Sequence, residues 1–211
     1  DFILLIGTNP RFEATMVNAR IRKSYLNNNT KIYSLNDVGD LTYPYTFLDG
    51  KTQTIKDIIE DNNEISKDLI NSKKPMIIIG ESFFNTKSAN FLFHSLNDYL
   101  IKNDKLTEEW NPINILSRDA ATVGSLDLDI VNLNADIFRD LSENKFKLVY
   151  LLGQDNLSFK KKDEFIIYQG SHGDRGAEIA DIILPGAAYT EQSGHFTNLE
   201  GKIQKAFKAS Y

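Results

Sequence analysis

Short, continuous apolar runs alternate along the chain with stretches whose apolar residues recur every three or four positions. The continuous runs cover residues 2–6, 76–79, 146–152 and 165–168, with a weaker strand pattern at 31–35. Unbroken runs of this length are typical of parallel strands buried on both faces. Helical spacing predicts helices over residues 54–60, 64–71, 87–101 and 136–141. The pattern therefore predicts an α/β fold with a doubly wound, mainly parallel sheet.

The first helix is predicted to begin directly after the first strand. Asn9 has a side chain suited to the N-cap, and Pro10 suits the first helical position. Phe12 and Met16 follow at helical spacing, and Ile21 widens the apolar stripe. We therefore expect Phe12 and Met16 to lie in the core.

The domain organisation follows from the length and from the absence of breaks. The chain has 211 residues, and no linker rich in glycine, serine or proline interrupts it. A chain of this length can bury a sizeable core. We expect one α/β domain over residues 1–211, with a possible subdomain at residues 37–75. Within that range, residues 37–51 form a turn-rich loop with Tyr43, Tyr45 and Phe47 as aromatic anchors.

Composition and charge exclude several classes of function. The net charge is −5, so the chain lacks the basic surface that nucleic acids or anionic lipids require. There is no cysteine, which excludes disulfides, thiolate zinc sites and cysteine-ligated iron–sulfur clusters within these residues. The three histidines are not spaced as metal ligands. The apolar runs fall far short of the roughly 20 residues that a membrane-spanning helix needs.

Four loops follow predicted strand ends, where open parallel sheets bind their ligands. They are residues 7–10, 80–82, 153–156 and 169–174. None has a GxGxxG or Walker pattern. Their backbone N–H groups could cradle a phosphate, or their glycines could simply permit tight turns. Spacing alone leaves both interpretations open.

Residues 166–202 combine glycines with polar side chains more densely than the rest of the chain. His172 beside Asp174 could act as a general acid or base, or could make structural hydrogen bonds in a turn. His195 and Glu200 lie on opposite arms of a predicted hairpin, where they could face each other or be ordinary hairpin residues. No nucleophile motif accompanies them, so we predict no catalytic residue.

Two stretches carry a resemblance to a known family. Residues 180–185 (ADIILP), followed by Glu191, Asn198, Glu200 and Gln204, resemble the signature of the molybdopterin oxidoreductase superfamily. Residues 5–10 (LIGTNP) resemble that superfamily's loop after a strand. More finely, residues 7–26, 40–45, 73–82 and 165–204 are similar to the large iron–sulfur subunits, the 75-kDa family, of respiratory NADH:ubiquinone oxidoreductase (complex I).

The resemblance implies that this chain has the fold of a cofactor-binding domain but does not bind the cofactor. In catalytic members these segments line the site of a molybdopterin guanine dinucleotide. In the complex I branch the pterin-binding fold is kept without the cofactor, which implies no cofactor and no metal ligand in this chain. The vestigial pterin-site positions would be Gly7, Thr8, Asn9, Pro10, Gly170, His172, Asp174, Asp181, Glu191, Asn198 and Glu200.

The same resemblance implies a location and partners. The family's iron–sulfur ligands lie in an N-terminal region that these residues do not contain, so clusters are expected there or in a partner chain. Other subunits of the complex I peripheral arm are the expected partners, with no direct membrane span. The expected location is the matrix side of the mitochondrial inner membrane, or the cytoplasmic face of a bacterial inner membrane. The chain opens in a strand without methionine, so we interpret it as processed or as a piece of a longer polypeptide.

Two other functions stay open at this stage. The chain could be a fragment of a catalytic molybdoenzyme such as a formate dehydrogenase, although no molybdenum-ligand motif is present. It could also be a nucleotide-binding module that uses the loops at Gly7 and Gly153. We favour a structural domain that supports electron transfer from NADH to quinone without a redox centre of its own.

Overall fold

The chain forms two compact units, Asp1–Asp119 and Ala120–Tyr211. The computed structural model describes residues 1–131 and 136–209. Each unit has its own parallel sheet and its own apolar core. The organisation predicted from the sequence, one domain with a possible subdomain at 37–75, stays a prediction.

The first unit is an α/β sandwich around a five-stranded sheet. Its elements are β1 (Phe2–Ile6), α1 (Pro10–Glu13), α2 (Thr15–Asn28), β2 (Lys31–Ser34), β3 (Thr46–Phe47), α3 (Thr52–Ile59), α4 (Glu64–Asn71), β4 (Pro75–Gly80), α5 (Glu81–Phe84), α6 (Ala89–Lys102) and β5 (Ile113–Leu116). The strand order is β3-β2-β1-β4-β5, and all four pairings are parallel. The predicted fold class is confirmed.

Both faces of this sheet are covered, as the unbroken apolar runs predict. Alternate residues of β1 point to opposite faces. Leu4 belongs to a cluster with side chains of α3, α4 and α6, including Ile55 and Leu69. Leu5, on the other face, belongs to a cluster with Ile21 of α2. Burial on two sides explains why β1 and β4 show no polar alternation in sequence.

The predicted core position of Phe12 and Met16 is wrong. The helix begins as predicted, because the Asn9 side chain caps it and Pro10 follows. However, the helical conformation is interrupted at Ala14, which lies between α1 and α2. Phe12 is 80% exposed and Met16 is 73% exposed, whereas Ile21 is buried.

A buried asparagine explains which face of α2 turns inward. The Asn18 amide donates to the Leu41 carbonyl oxygen at 3.0 Å, and its Oδ1 accepts from the Tyr43 hydroxyl at 2.7 Å. Leu41 and Tyr43 are themselves buried. The loop after β2 therefore packs on the α2 face that carries Asn18 and Ile21. Tyr43 is an anchor of this loop as predicted, but Phe47 is largely exposed.

The second unit contains a three-stranded parallel sheet and a hairpin. Its described elements are α7 (Thr122–Asp127), α8 (Ile137–Ser142), β6 (Leu148–Leu152), β7 (Phe165–Gly170), α9 (Arg175–Ile179), β8 (Ile182–Pro185), a 3-10 turn (Tyr189–Glu191), β9 (Gly194–Thr197) and β10 (Ile203–Ala206). The sheet order is β6-β7-β8, and β9 pairs with β10 antiparallel. Its core contains Leu141, Leu151, Leu157, Phe159, Ile166 and Tyr168. The hairpin prediction is confirmed.

Candidate functional site

The first crest is formed by residues 7–10 and 80–82, which follow the carboxyl ends of β1 and β4. These two strands are neighbours in the sheet, and the strand order reverses between them. Such a reversal is the usual ligand site of an open α/β sheet. An open crevice of about 180 Å³ lies here, lined by Gly7, Thr8, Asn9, Glu13, Asn36, Val38 and Ser82. Pockets for drug-sized ligands usually measure roughly 300–1,000 Å³.

The two loops of the first crest pack directly on each other. A Cβ atom added to Gly80 would lie 2.2 Å from the Gly7 carbonyl oxygen and 2.8 Å from the Thr8 Cβ. Gly7 has φ of +61°, and its N–H donates to Asn36 Oδ1 at 3.2 Å. The Ser82 hydroxyl donates to the Gly7 carbonyl oxygen. The glycines of this crest therefore serve contacts between its own loops.

Two carboxylates occupy the rim of the first crest. Glu13 accepts from the Thr8 hydroxyl at 2.7 Å, and its other oxygen lies 2.8 Å from the Arg118 guanidinium. Glu81 accepts from the Ser117 hydroxyl at 2.6 Å and from the Arg118 backbone N–H at 3.0 Å. The Ser117 hydrogen bond, followed by that of Arg118, lowers the pKa of Glu81. The two carboxylates and the one Arg118 guanidinium leave this rim net negative, which disfavours a phosphate group.

The second crest is formed by residues 153–155 and 169–176, at the carboxyl ends of β6 and β7. The Tyr168 hydroxyl lies 2.8 Å from Asp155 Oδ2 and 3.0 Å from the His172 carbonyl oxygen. Gly176 donates its N–H to the other Asp155 oxygen at 2.9 Å. The hydrogen bond to Asp155 raises the pKa of Tyr168. This phenol links both loops of the crest.

The same phenol fills the space beside two glycines. A Cβ atom on Gly170 would lie 2.2 Å from the Tyr168 hydroxyl oxygen. One on Gly176 would lie 2.6 Å from the Tyr168 ring and 2.8 Å from the Gln154 carbonyl oxygen. The close approach that the glycines permit is therefore made by the protein's own aromatic ring.

The structure does not join the side chains of His172 and Asp174 by a hydrogen bond. His172 is exposed, and its Nδ1 lies 2.9 Å from the Ser171 hydroxyl. Asp174 precedes α9 without capping it through its side chain. Within residues 136–209, no hydrogen bond joins these two side chains. This arrangement agrees with the alternative that His172 makes structural hydrogen bonds in a turn.

Asp181 lies at the opposite end of the sheet from Gly170. Its Oδ2 accepts from the Ile166 N–H at 2.8 Å, and its Oδ1 lies 2.5 Å from the Lys161 ammonium. The bonds from Lys161 and then Ile166 lower the pKa of Asp181. Gly170 lies four positions after Ile166 in β7, which corresponds to roughly 13 Å at about 3.3 Å per residue. Asp181 thus fastens the amino ends of β7 and β8.

Glu191 and Asn198 make local hydrogen bonds. Glu191 accepts from the Ala188 N–H at 2.9 Å. Asn198 Oδ1 accepts from the backbone N–H groups of Glu200 and Lys202, at 3.0 and 2.9 Å, within the turn between β9 and β10. Both side chains therefore bind backbone N–H groups of their own turns.

His195 and Glu200 do not face each other, which agrees with the alternative that both are ordinary hairpin residues. His195 lies opposite Lys205 in the β9–β10 register. Glu200 belongs to the turn beyond the end of that register. The Asn198 hydrogen bonds close the turn between the two strands, so residue 200 does not join either strand.

The sequence-predicted positions are thus distributed over both units. Gly7, Thr8, Asn9 and Pro10 belong to the first unit, and the other seven belong to the second. The polar partners that close the crests, chiefly Glu13, Glu81, Asp155 and Tyr168, were not singled out from the sequence. The groups that these four residues bind lie elsewhere in the chain. The one available signal in the sequence is that carboxylates occur within or near the glycine-bearing loops.

Two searches of the described residues concern metal-ligand groups and membrane-spanning helices. Within residues 1–131 and 136–209, no group of three or more histidine, aspartate or glutamate side chains could hold a metal ion. Across the same residues, no helix is both long and apolar enough to span a bilayer.

Comparison with known proteins gives a consistent result. The family model described as Molybdopterin oxidoreductase matches residues 1–211. The chain is 41% identical over 208 residues to the mitochondrial NADH-ubiquinone oxidoreductase 78 kDa subunit of Neurospora crassa, covering 97% of this chain and 27% of that protein. It is 40% identical over 214 residues to the NADH-ubiquinone oxidoreductase 75 kDa subunit of Reclinomonas americana, covering 100% of this chain and 31% of that protein.

A plant relative extends the comparison. Identity is 37% over 206 residues to the mitochondrial NADH dehydrogenase [ubiquinone] iron-sulfur protein 1 of Solanum tuberosum, of which 27% is covered. The chain therefore spans less than a third of the length of these relatives.

Proposed function

This chain belongs to the molybdopterin oxidoreductase family, and from that premise we propose that it is part of the large subunit of respiratory NADH:ubiquinone oxidoreductase. It would lie in the peripheral arm of that complex and support electron transfer from NADH to quinone. Sequence identity of 37–41% to subunits of that enzyme, over 97% or more of this chain, supports the proposal. The two units would act together as one molybdopterin-oxidoreductase-like domain over residues 1–211.

The role of this segment is structural, and it holds no pterin, molybdenum or other redox centre. The observation that carries this proposal is that the chain's own groups contact one another in both crests and leave only a crevice of about 180 Å³ at the first. Asn36 accepts a hydrogen bond from the Gly7 N–H, and Tyr168 fills the space beside Gly170 and Gly176. A pterin nucleotide with phosphate groups would meet carboxylates at the first crest and a phenol at the second. The eleven vestigial positions would then be kept for turns and loop contacts.

Electrons would travel through iron–sulfur clusters held elsewhere in the subunit or in a partner chain. The partners would be other peripheral-arm subunits, including the cluster-bearing region. The location would be the matrix side of the mitochondrial inner membrane, or the cytoplasmic face of a bacterial inner membrane. The whole assembly would be the proton-translocating NADH:ubiquinone reductase.

Affinity purification from the natural host tests this proposal. With a tag on the polypeptide that carries this chain, we expect complex I subunits, NADH:ubiquinone reductase activity, and molybdenum far below one atom per chain by elemental analysis. The same complex purified through a different subunit is the control. Stoichiometric molybdenum together with pterin would overturn the proposal and favour a catalytic molybdoenzyme such as a formate dehydrogenase.

A titration separates the structural role from nucleotide binding. Isothermal titration of the protein with guanine nucleotides is expected to show no saturable heat. Saturable binding that is lost in the Gly80→Ala variant would instead assign a ligand to the first crest.

A further inference from the structure

The chain leaves the first unit through a short segment, residues 117–119, which we call the strap. The strap follows β5, the edge strand of the five-stranded sheet. The last aligned pair of β4 and β5 joins Gly80 to Leu116, so the strand ladder ends just before the strap begins. Chain beyond the end of a ladder opens locally at little cost unless other bonds hold it. The side chains that bind the strap therefore decide whether it stays on the first unit.

A carboxylate from the loop after β4 binds the strap backbone. Glu81 is the first residue of α5, and its Oε1 accepts from the Ser117 hydroxyl at 2.6 Å and from the Arg118 N–H at 3.0 Å. Hydrogen bonds to an ionised carboxylate are stronger than those between neutral groups. Glu81 thus ties the strap to the first crest.

A second carboxylate binds the strap and the loop after β1 at the same time. Glu13 Oε1 lies 2.8 Å from the Arg118 guanidinium, and Glu13 Oε2 accepts from the hydroxyl of the buried Thr8 at 2.7 Å. The Glu13 side chain is only 16% exposed, so solvent screens its charge less than that of a surface carboxylate. Glu13 is therefore a shared partner of the strap and of the first crest.

The two loops of the first crest do not move independently of each other. The Ser82 hydroxyl donates to the Gly7 carbonyl oxygen, and a Cβ atom on Gly80 would lie 2.2 Å from that same oxygen. The strap is bound from both loops, through Glu81 after β4 and through Glu13 beside Thr8. A displacement of either loop therefore displaces an anchor of the strap.

We infer that the strap and the first crest form one two-state element, which Glu13 and Glu81 fasten and which opens as a unit. In the closed state the chain is held on the first unit as far as Arg118. In the open state both carboxylates lose Arg118, and the held part ends with β5 at Leu116. Coupling between two places is reciprocal, so loosening the strap loosens the Gly7 loop and the converse. The inference uses contacts within the first unit alone and does not depend on assembly into complex I.

Hydrogen exchange of the full-length polypeptide that carries this chain tests the inference. Mass spectrometry with electron-transfer fragmentation resolves single amides. The Arg118 N–H reports on the strap, and the Gly7 N–H, which donates to Asn36 Oδ1 at 3.2 Å, reports on the first crest. The Ile77 N–H donates to the Pro112 carbonyl oxygen at 2.8 Å and monitors the start of the β4–β5 ladder.

Glu13→Gln is the decisive variant, because Glu13 binds the Arg118 side chain and not the Arg118 N–H. We expect exchange of the Arg118 N–H to accelerate roughly threefold or more, as the loss of a partly buried ion pair allows. Glu60→Gln is the matched control, since it removes another carboxylate of the first unit, one paired with Lys56 at 3.6 Å. It should leave exchange at Arg118 within roughly twofold, as is usual for exposed positions.

Arg118→Met tests the reciprocal direction. It removes the guanidinium and keeps the backbone N–H, and we expect exchange of the Gly7 N–H to accelerate roughly threefold or more while that of the Ile77 N–H stays unchanged. Wild-type protein at 1 M salt gives a measurement without substitution. Salt at about 1 M shortens the screening length to about 3 Å, so the Arg118 and Gly7 amides should both exchange faster there.

Three results would overturn the inference. Exchange at Arg118 could respond to Glu13→Gln no more than to Glu60→Gln. Exchange at Gly7 could be unaffected by Arg118→Met. Exchange at Ile77 could accelerate as much as that at Arg118, which would assign the effect to loss of the sheet edge. If a variant does not fold, the wild-type salt comparison decides, and unchanged exchange at both reporters would refute the coupling. None of these results would alter co-purification with complex I subunits, so failure of this inference and failure of the proposed function are distinguishable.

Discussion

Replacing Gly80 with alanine tests whether the first crest is closed by its own loops. Gly80 ends β4 and is the N-cap of α5. Its added Cβ atom would lie 2.2 Å from the Gly7 carbonyl oxygen and 3.0 Å from the Gly7 carbonyl carbon. Both neighbours are backbone, so no side chain can rotate away to make room. The Gly7 loop would have to move as a whole.

The structure sets the size of the effect. The Cβ–oxygen distance must grow by at least 0.8 Å to reach 3.0 Å, below which real Cβ contacts are essentially absent. Overpacking of this kind costs about 1–3 kcal/mol, and losing glycine at an N-cap adds a few tenths to about 1 kcal/mol. Reduced freedom of the unfolded chain returns about 0.4–1 kcal/mol. We expect Gly80→Ala to lower the free energy of unfolding by about 2 kcal/mol.

Urea unfolding followed by Trp110 fluorescence is the assay. Trp110 is the chain's single tryptophan, and its indole N–H donates to the Pro75 carbonyl oxygen at 2.9 Å, so it reports on the sheet of the first unit. The midpoint should fall by about 1–2 M for a typical urea dependence. Gly39→Ala is the matched control: its φ is +67° but no atom lies within 4 Å, so only the backbone cost of about 1 kcal/mol applies.

A Gly80→Ala protein with wild-type stability would refute the reasoning. It would mean that the Gly7 loop has room to move and that the first crest is not closed by packing. The structural role proposed for its glycines would then lose its support.

Three further substitutions test other parts of the structure. Tyr168→Phe should speed hydrogen exchange of the Gly176 N–H, because Asp155 loses a hydrogen-bond donor; unchanged exchange would show that the phenol does not hold the second crest. Asp181→Asn should flatten the acid unfolding curve: the pKa of Asp181 is lowered by folding, so its stabilisation is full above about pH 4 and is lost as the pH falls through the folded value. An acid unfolding curve that Asp181→Asn leaves unchanged would argue against this stabilisation by Asp181. Phe12→Ser should alter the free energy of unfolding by less than about 0.5 kcal/mol, whereas Ile21→Ala should lower it by about 2–4 kcal/mol, both measured by urea unfolding; equal losses would place Phe12 in the core.

The fold class and most elements could be predicted because their signals are local. The helix Glu64–Asn71 lies where helical spacing places it, and the Asn63 side chain caps it by accepting from the Ile65 N–H. The strand Phe2–Ile6 coincides with an unbroken apolar run. Capping, spacing and strand-length apolar runs act within a few residues, so the sequence displays them directly.

The inward face of α2 could not be predicted from the helix itself. Phe12 and Met16 are larger and more apolar than Asn18, so hydrophobicity alone selects the wrong stripe. Asn18 is buried because Leu41 and Tyr43, from a loop more than 20 residues further along, supply its hydrogen bonds. A distant loop decides this face.

The sequence by itself determined the parallel α/β architecture, the absence of thiol chemistry and the glycine-bearing turns after the strands. Only the tertiary structure decided what those turns contact. Arg118 reaches Glu13 across 105 residues, and Tyr168 closes a crest against Asp155, 13 residues earlier. Turn glycines are encoded locally by backbone conformation, but the atom that fills the space beside a glycine is set by how strands are ordered in the sheet. For this reason the sequence displays the glycine-bearing loops but not the contacts that they make with one another in three dimensions.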